Sequence, residues 1–143
     1  MIARAAVVAE ARRWIGTPYQ HQGRMHGVGV DCLGMLICVA RELGVVATDF
    51  DINGYPRQPD GQTFQAGCAQ YMLAIEAADA LPGDVVSIAF NGHPMHAAIL
   101  GDYAHGGLSM IHALFRARKV AEHRLDDLWL SRVVGWHRMS GVA

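Results

Sequence analysis

Apolar positions cluster into helix-like segments early in the chain and strand-like segments later. Residues 2–14 are Ala-rich and predict a helix with Ile2, Ala5, Ala6, Ala9 and Arg13 near one face. It ends at Gly16-Thr17-Pro18, because the residue before a proline is biased away from the helical region. Residues 16–30 form a glycine-rich loop carrying Tyr19, His21, Gln22, Arg24 and His26. The stretch 32–43 is apolar on nearly every side, with only Arg41 and Glu42 polar, and Gly44 can close it. Such a helix belongs in the interior.

Residues 45–61 look irregular and end in Tyr55-Pro56-Arg57-Gln58-Pro59-Asp60-Gly61, a run of turn formers. A second helix is expected over 63–78. Leu81-Pro82-Gly83-Asp84 then punctuates the chain before a strand at 85–90. Strands follow at 95–100, 108–114 and 116–121, then a short helix near 125–130 and a last strand at 132–138. Helices before strands predict an α+β domain with an antiparallel sheet, the whole of 1–143 as one unit.

Hydrophobic content of 52% against 17% charged residues makes the chain globular, and a net charge of −1 leaves no basic stripe for nucleic acid. No apolar run reaches the roughly 18 residues of a membrane span. The N-terminus lacks the regions of a secretory signal, so export by that route is not expected. Cys32, Cys38 and Cys68 contain no CxxC and cannot all pair, which argues against a disulfide framework. Cys38 and Cys68 fall within apolar or Ala-rich segments and read as structural.

Cys32 is different. A loop with Gly27 and Gly29 delivers it to the first turn of the apolar helix, with Asp31 in the N-cap position. A thiol there feels the positive end of the helix dipole, which favours thiolate and nucleophilic chemistry. Free cysteine is also among the most buried residue types and packs as a small hydrophobe, so two readings stand. The histidines bear on the choice. If the hairpin between 95–100 and 108–114 is symmetric about Ala104, His96 lies directly across from His112 on one face of the sheet. Packed against the cysteine helix, the two would form a Cys–His–His relay. His96 would take the thiol proton and His112 would fix its tautomer and orientation. Taken singly, each is more simply a half-buried sheet histidine satisfied by backbone.

Eight histidines could suggest zinc, but there is no H-E-x-x-H and no cysteine pair at zinc spacing, so neither metal nor cofactor is expected. His21, His26, His105, His123 and His137 read as surface or loop residues, the first two at the edge of a cleft.

Five segments in order resemble the NlpC-type cysteine peptidases of the bacterial cell wall. They are Trp14-Ile15-Gly16-Thr17-Pro18-Tyr19, Gly29-Val30-Asp31-Cys32-Leu33-Gly34, Leu81-Pro82-Gly83-Asp84-Val85-Val86, His96-Ala97-Ala98-Ile99 and Ile111-His112-Ala113. The resemblance implies a papain-like α+β fold, with the nucleophile helix packed on an antiparallel sheet. It implies hydrolysis of peptidoglycan stem peptides, typically at the γ-D-glutamyl–diamino acid bond. Carried onto this sequence, Cys32 is the nucleophile, His96 the base and His112 the orienting residue. Tyr19 helps form the oxyanion hole with the Cys32 backbone N–H, and Asp31 binds the substrate's free amino end. Tyr19 could instead be a packing residue, and Asp31 only a cap. Many relatives carry Ser where this chain has Leu33.

The turn segment 55–61 and the absent signal resemble the branch found in phage tails and gene transfer particles. That implies cytoplasmic synthesis, tail or baseplate partners, and action on the host wall. An adaptor that has lost turnover, or an amidase cutting the sugar–peptide link, are the rival functions.

Overall fold

A computed structural model describes residues 1–52, 55, 67, 69–90 and 93–143. Helix α1 (Arg4–Arg13) is followed by a small ribbon, β1 (Arg24–Met25) and β2 (Gly29–Val30), and then by α2 (Cys32–Glu42). After β3 (Met72–Ala74) and a 3-10 turn at Ala77–Asp79 come β4 (Val85–Phe90), β5 (His93–Asp102), β6 (Leu108–Leu114) and β7 (Lys119–Arg124). The short helix α3 (Asp127–Leu130) and β8 (Val133–Met139) complete the chain. Six strands form one antiparallel sheet in the order β3-β8-β4-β5-β6-β7, and α2 packs on β5 and β6. The expected α+β architecture is therefore present.

Alternation along the strands divides the interior. Val85, Ala97, Ile99, Ile111, Ala113 and Val120 face α1 and α2. Val86, Ile88, Ala98, Leu100 and Met110 form a second cluster, covered by Trp129 and Trp136. Asp84, at the end of the punctuation motif, is fully buried yet receives hydrogen bonds from Arg4 (2.9 Å), from Arg138 Nε and Nη2 (2.9 and 3.0 Å) and from the Leu81 N–H (2.9 Å). It ties α1, β4 and β8 together. Burial alone would raise its pKa, but the bonds from Arg138 and Arg4 hold the carboxyl below its usual value.

Four expectations need correction. Helix α1 buries Val7, Val8 and Ala11, while Ala5, Ala6 and Ala9 are exposed. A buried valine removes far more apolar area from water than an alanine, so the valine stripe sets the inner face. Of the helix expected at 63–78, residues 67 and 69–71 are helical, but it gives way to strand at Met72 because Met72–Ala74 complete the sheet edge beside β8; residues 63–66 and 68 lie outside the described residues. β7 starts three residues later than expected. The hairpin register is also shifted: Ile99 opposes Ile111 and Asp102 opposes Leu108, so the loop is centred on His105. Gly106 and Gly107 both take positive φ there (97° and 80°), which closes the turn late and lets Gly101 and Asp102 join the strand.

Candidate active site

Asp31 caps α2 through its side chain, which accepts the Gly34 N–H at 2.8 Å. Gly34 itself allows the loop to lie against the first turn, since a Cβ there would strike the Gly23 carbonyl and the Arg24 guanidinium. The loop is further held by Val30 N–H donating to Pro18 O (3.0 Å) and Gln20 N–H donating to Val30 O (3.0 Å). These bonds run Tyr19 alongside the segment that delivers Cys32. The Tyr19 ring meets Phe115 edge-on with centroids 5.4 Å apart.

Cys32 thus begins α2 where the sheet opens. Among the described residues the β5–β6 pairing spans Ile99–Asp102 and Leu108–Ile111 and goes no further toward α2. Beyond it the two strands separate, and side chains bridge the gap. His96 Nε2 lies 2.5 Å from His112 Nδ1. The two are not directly opposed, as the symmetric hairpin predicted; a register shift of two keeps the face and leaves them diagonal neighbours within aromatic reach. The backbone N–H of Ala97, next to His96, is close enough to favour the Cys32 thiolate, which places the thiol beside β5.

His96 is 7% exposed and His112 fully buried. Burial lowers both, His96 to about 4 and His112 to about 2, so both imidazoles are neutral at physiological pH. Cys32 departs from the thiolate expectation. Burial, and then the adjacent Asp31 carboxylate, push its thiol up to about 12. The Ala97, Leu33 and Cys32 N–H groups pull the other way, as a helix N-terminus should, and are outweighed. The resting pair is thiol and imidazole.

Asp31 is 2% exposed and fully engaged. Oδ1 accepts from Gly34 N–H and from Arg24 (3.2 Å), and Oδ2 accepts from Gln22 N–H (2.7 Å) and the Tyr55 hydroxyl (2.6 Å). A carboxylate offers about four acceptor positions, and four donors fill them. The substrate-binding role expected of Asp31 therefore meets a group already saturated.

Leu33 lines an apolar cavity of about 70 Å³ with Leu36, Ile37, Phe50 and Tyr71. Cys38 donates its S–H to the Arg24 carbonyl at 3.6 Å; Cys68 lies outside the described residues. His21 sits beside Asp31 and edge-on to Tyr55, while His26 donates Nε2–H to the Arg13 carbonyl. His105 lies in the β5–β6 turn against Tyr103, and His137 contacts Ser87.

One residue was missed. His123, expected at the surface, has Nε2 2.7 Å from His112 Nε2 and Nδ1 2.9 Å from the Arg124 carbonyl oxygen. Trp129 meets His112 edge-on and lies tilted against His123. With β7 drawn to end at 121, His123 fell outside any strand. The alternation of His112 and His123 across the β6–β7 pair, Met110 opposing His123, is the signal that reveals it.

No family model matches the chain, and no curated protein matches it either. Solved structures do. The chain is similar to the NlpC/p60 domain of the peptidoglycan hydrolase SagA, with 28% identity and a TM-score of 0.65 over 95% of this chain and 98% of that one. It is similar to an NlpC/p60 family protein from Bacillus cereus, with 20% identity, a TM-score of 0.70, and 95% and 40% coverage. An N-acetylmuramoyl-L-alanine amidase from Bacteroides uniformis shares the fold at 13% identity, with a TM-score of 0.64 and 96% and 98% coverage. The chain spans all but a margin of the SagA domain and two fifths of the B. cereus protein.

Proposed function

We infer that this chain, an NlpC/p60-type domain, is a thiol hydrolase of peptidoglycan that cleaves the stem peptide at the γ-D-glutamyl–diamino acid bond. The reading is supported by Cys32 at the start of α2, which packs on β5 and β6, and by the buried neutral histidine pair that those two strands carry. The kinship with SagA's domain supports the substrate class.

In this mechanism Cys32 Sγ attacks the amide carbonyl carbon while its proton passes to His96 Nδ1, the ring nitrogen not facing His112. Attack requires general-base help because the thiol is pushed up to about 12. The oxyanion is received by the Cys32 backbone N–H and the Tyr19 hydroxyl, and one such donor is worth about 2.7–4 kcal/mol of barrier. As the tetrahedral intermediate collapses, the amine leaves with the proton from His96. His96 then takes a proton from water, whose hydroxide opens the thioester to a carboxylic acid and restores the thiol. His112 holds the His96 ring. Asp31, saturated by Gly34, Arg24, Gln22 and Tyr55, works in our reading by fixing the nucleophile's loop; a substrate ammonium would have to displace one of those donors.

We further propose, on the sequence pattern alone, that the enzyme is carried by a phage-like tail and acts on the host wall. Residues 56–61, part of that pattern, lie outside the described residues. Among the described residues no helix is long and apolar enough to cross a membrane.

Digestion of purified peptidoglycan by wild type and Cys32→Ala, with fragments identified by mass spectrometry, tests the activity. New γ-glutamyl and diamino acid termini, made by the wild type alone, are expected. Intact stem peptides would make it an amidase, and equal, negligible release by both proteins would make it an adaptor. Recovery of the chain in sedimented particles from a producing strain is expected for the tail reading, and recovery only outside them would end it.

A further inference from the structure

The hydrogen bonds beyond His112 have a direction. A carbonyl oxygen can only accept, so the 2.9 Å contact with the Arg124 carbonyl requires a proton on His123 Nδ1. In neutral His123 the Nε2 is then an acceptor. His112, 2.7 Å away, must present Nε2–H to it. That leaves His112 Nδ1 bare, and His96 must present Nε2–H across the 2.5 Å contact. His96 Nδ1 is therefore unprotonated, the tautomer able to take a proton from Cys32. A proton on the wrong nitrogen anywhere in this series would reverse every later bond and disarm His96.

We propose that His123 is a positioning residue: anchored on the Arg124 carbonyl, it sets the tautomers of His112 and, through it, of His96. A main-chain carbonyl cannot change from acceptor to donor, so the direction of each bond from His123 back to His96 follows from that anchor. Trp129, edge-on to His112 and tilted against His123 with centroids at 5.4 and 5.1 Å, holds the two rings in place. Asp126 caps the α3 turn by accepting the Trp129 N–H at 3.0 Å, which fixes that cover in turn.

The tautomer assignment stands on geometry, while its catalytic meaning rests on the thiol-hydrolase reading, so the test separates the two. Long-range ¹⁵N–¹H spectra of the full chain with labelled histidine, at pH 7, read each ring directly. Wild type is expected to show His96 and His112 as Nε2–H tautomers and His123 as Nδ1–H. In His123→Phe, which retains an aromatic ring under Trp129 but no acceptor, His112 and His96 are expected to populate both tautomers. Hydrolysis should then fall about 10- to 100-fold in kcat with KM little changed, part of the 10²–10⁴ that a general base contributes. His123→Gln, whose amide oxygen can accept from His112, should recover much of the loss and the single tautomer. His96 found as Nδ1–H in the wild type, or unchanged His96 and His112 tautomers in His123→Phe, would overturn the proposal. The wild-type spectrum decides even if a variant fails to fold. Correct tautomers in a chain without hydrolysis would refute the enzyme reading and leave this assignment intact.

Discussion

Two buried polar groups flank Cys32, and they are built on opposite plans. On one side Asp31 carries a charge, and four donors from the loop, the helix and Tyr55 neutralise or satisfy it. On the other side His96 and His112 carry no charge, and His112 is bonded through one ring nitrogen to His96 and through the other to His123. A saturated carboxylate can hold a backbone in place and do little else. A neutral imidazole keeps one unprotonated nitrogen, and that nitrogen is where a proton can go. The contrast separates scaffold from chemistry within a few residues of one thiol.

The comparison can be broken from either side. The largest expected effect is on turnover: His96→Ala should lower kcat/KM by about 10²–10⁴-fold per folded molecule, measured on soluble muropeptides. A comparable loss from Asp31→Asn at equal folded fraction would erase the distinction. Next comes stability. Asp31→Ala removes the cap and takes the acceptor from the Gln22 N–H and the Tyr55 hydroxyl, while Arg24 keeps Asp51. Denaturant unfolding should show a loss of about 1–3 kcal/mol; a loss below about 1 kcal/mol would mean the carboxylate is not structural.

A third effect is pH-dependent. His96 falls to about 4 in the folded chain against 6.5 when free, so the unfolded state binds more protons between those values. Stability contributed by the neutral ring is complete above about pH 6.5 and should fall steadily as pH drops toward 4. Asp84, held below its usual carboxylate value, adds to the loss only at still lower pH. His96→Phe should flatten the dependence of Tm on pH between 6.5 and 4, and an unchanged slope would contradict the assigned neutrality. The smallest expected effect is at Arg132, whose guanidinium lies 5.2 Å from the Trp129 ring that covers the relay. Arg132→Ala should cost about 0.5–1 kcal/mol and leave kcat within a few-fold.

The scaffold side was easier to read in the sequence than the chemical side. Asp31 before Cys32, with Gly34 three residues on, specifies a capped helix start through local rules alone, and the structure follows them. The pairing of His96 with His112 was found by parity, which survives a shift of two, though the register itself was wrong. It depended on whether Gly101 and Asp102 joined the strand, and that was decided by the left-handed Gly106 and Gly107 in the loop. His123 was lost for the same kind of reason, a strand boundary three residues out. The helix expected up to 78 stops at residue 71 because the edge of β8 offers Met72–Ala74 a ladder of hydrogen bonds that local propensity does not register. The ionisation of Cys32 was misjudged because the dipole is visible in sequence, whereas burial and the nearness of Asp31 are tertiary facts.

Acid quenching during turnover on muropeptides, followed by peptide mapping of the protein, tests the central claim most directly. The account predicts an acyl adduct on the Cys32 peptide, its mass equal to the fragment ending in the γ-glutamyl carbonyl. Continued release of product with Cys32 never acylated would contradict it.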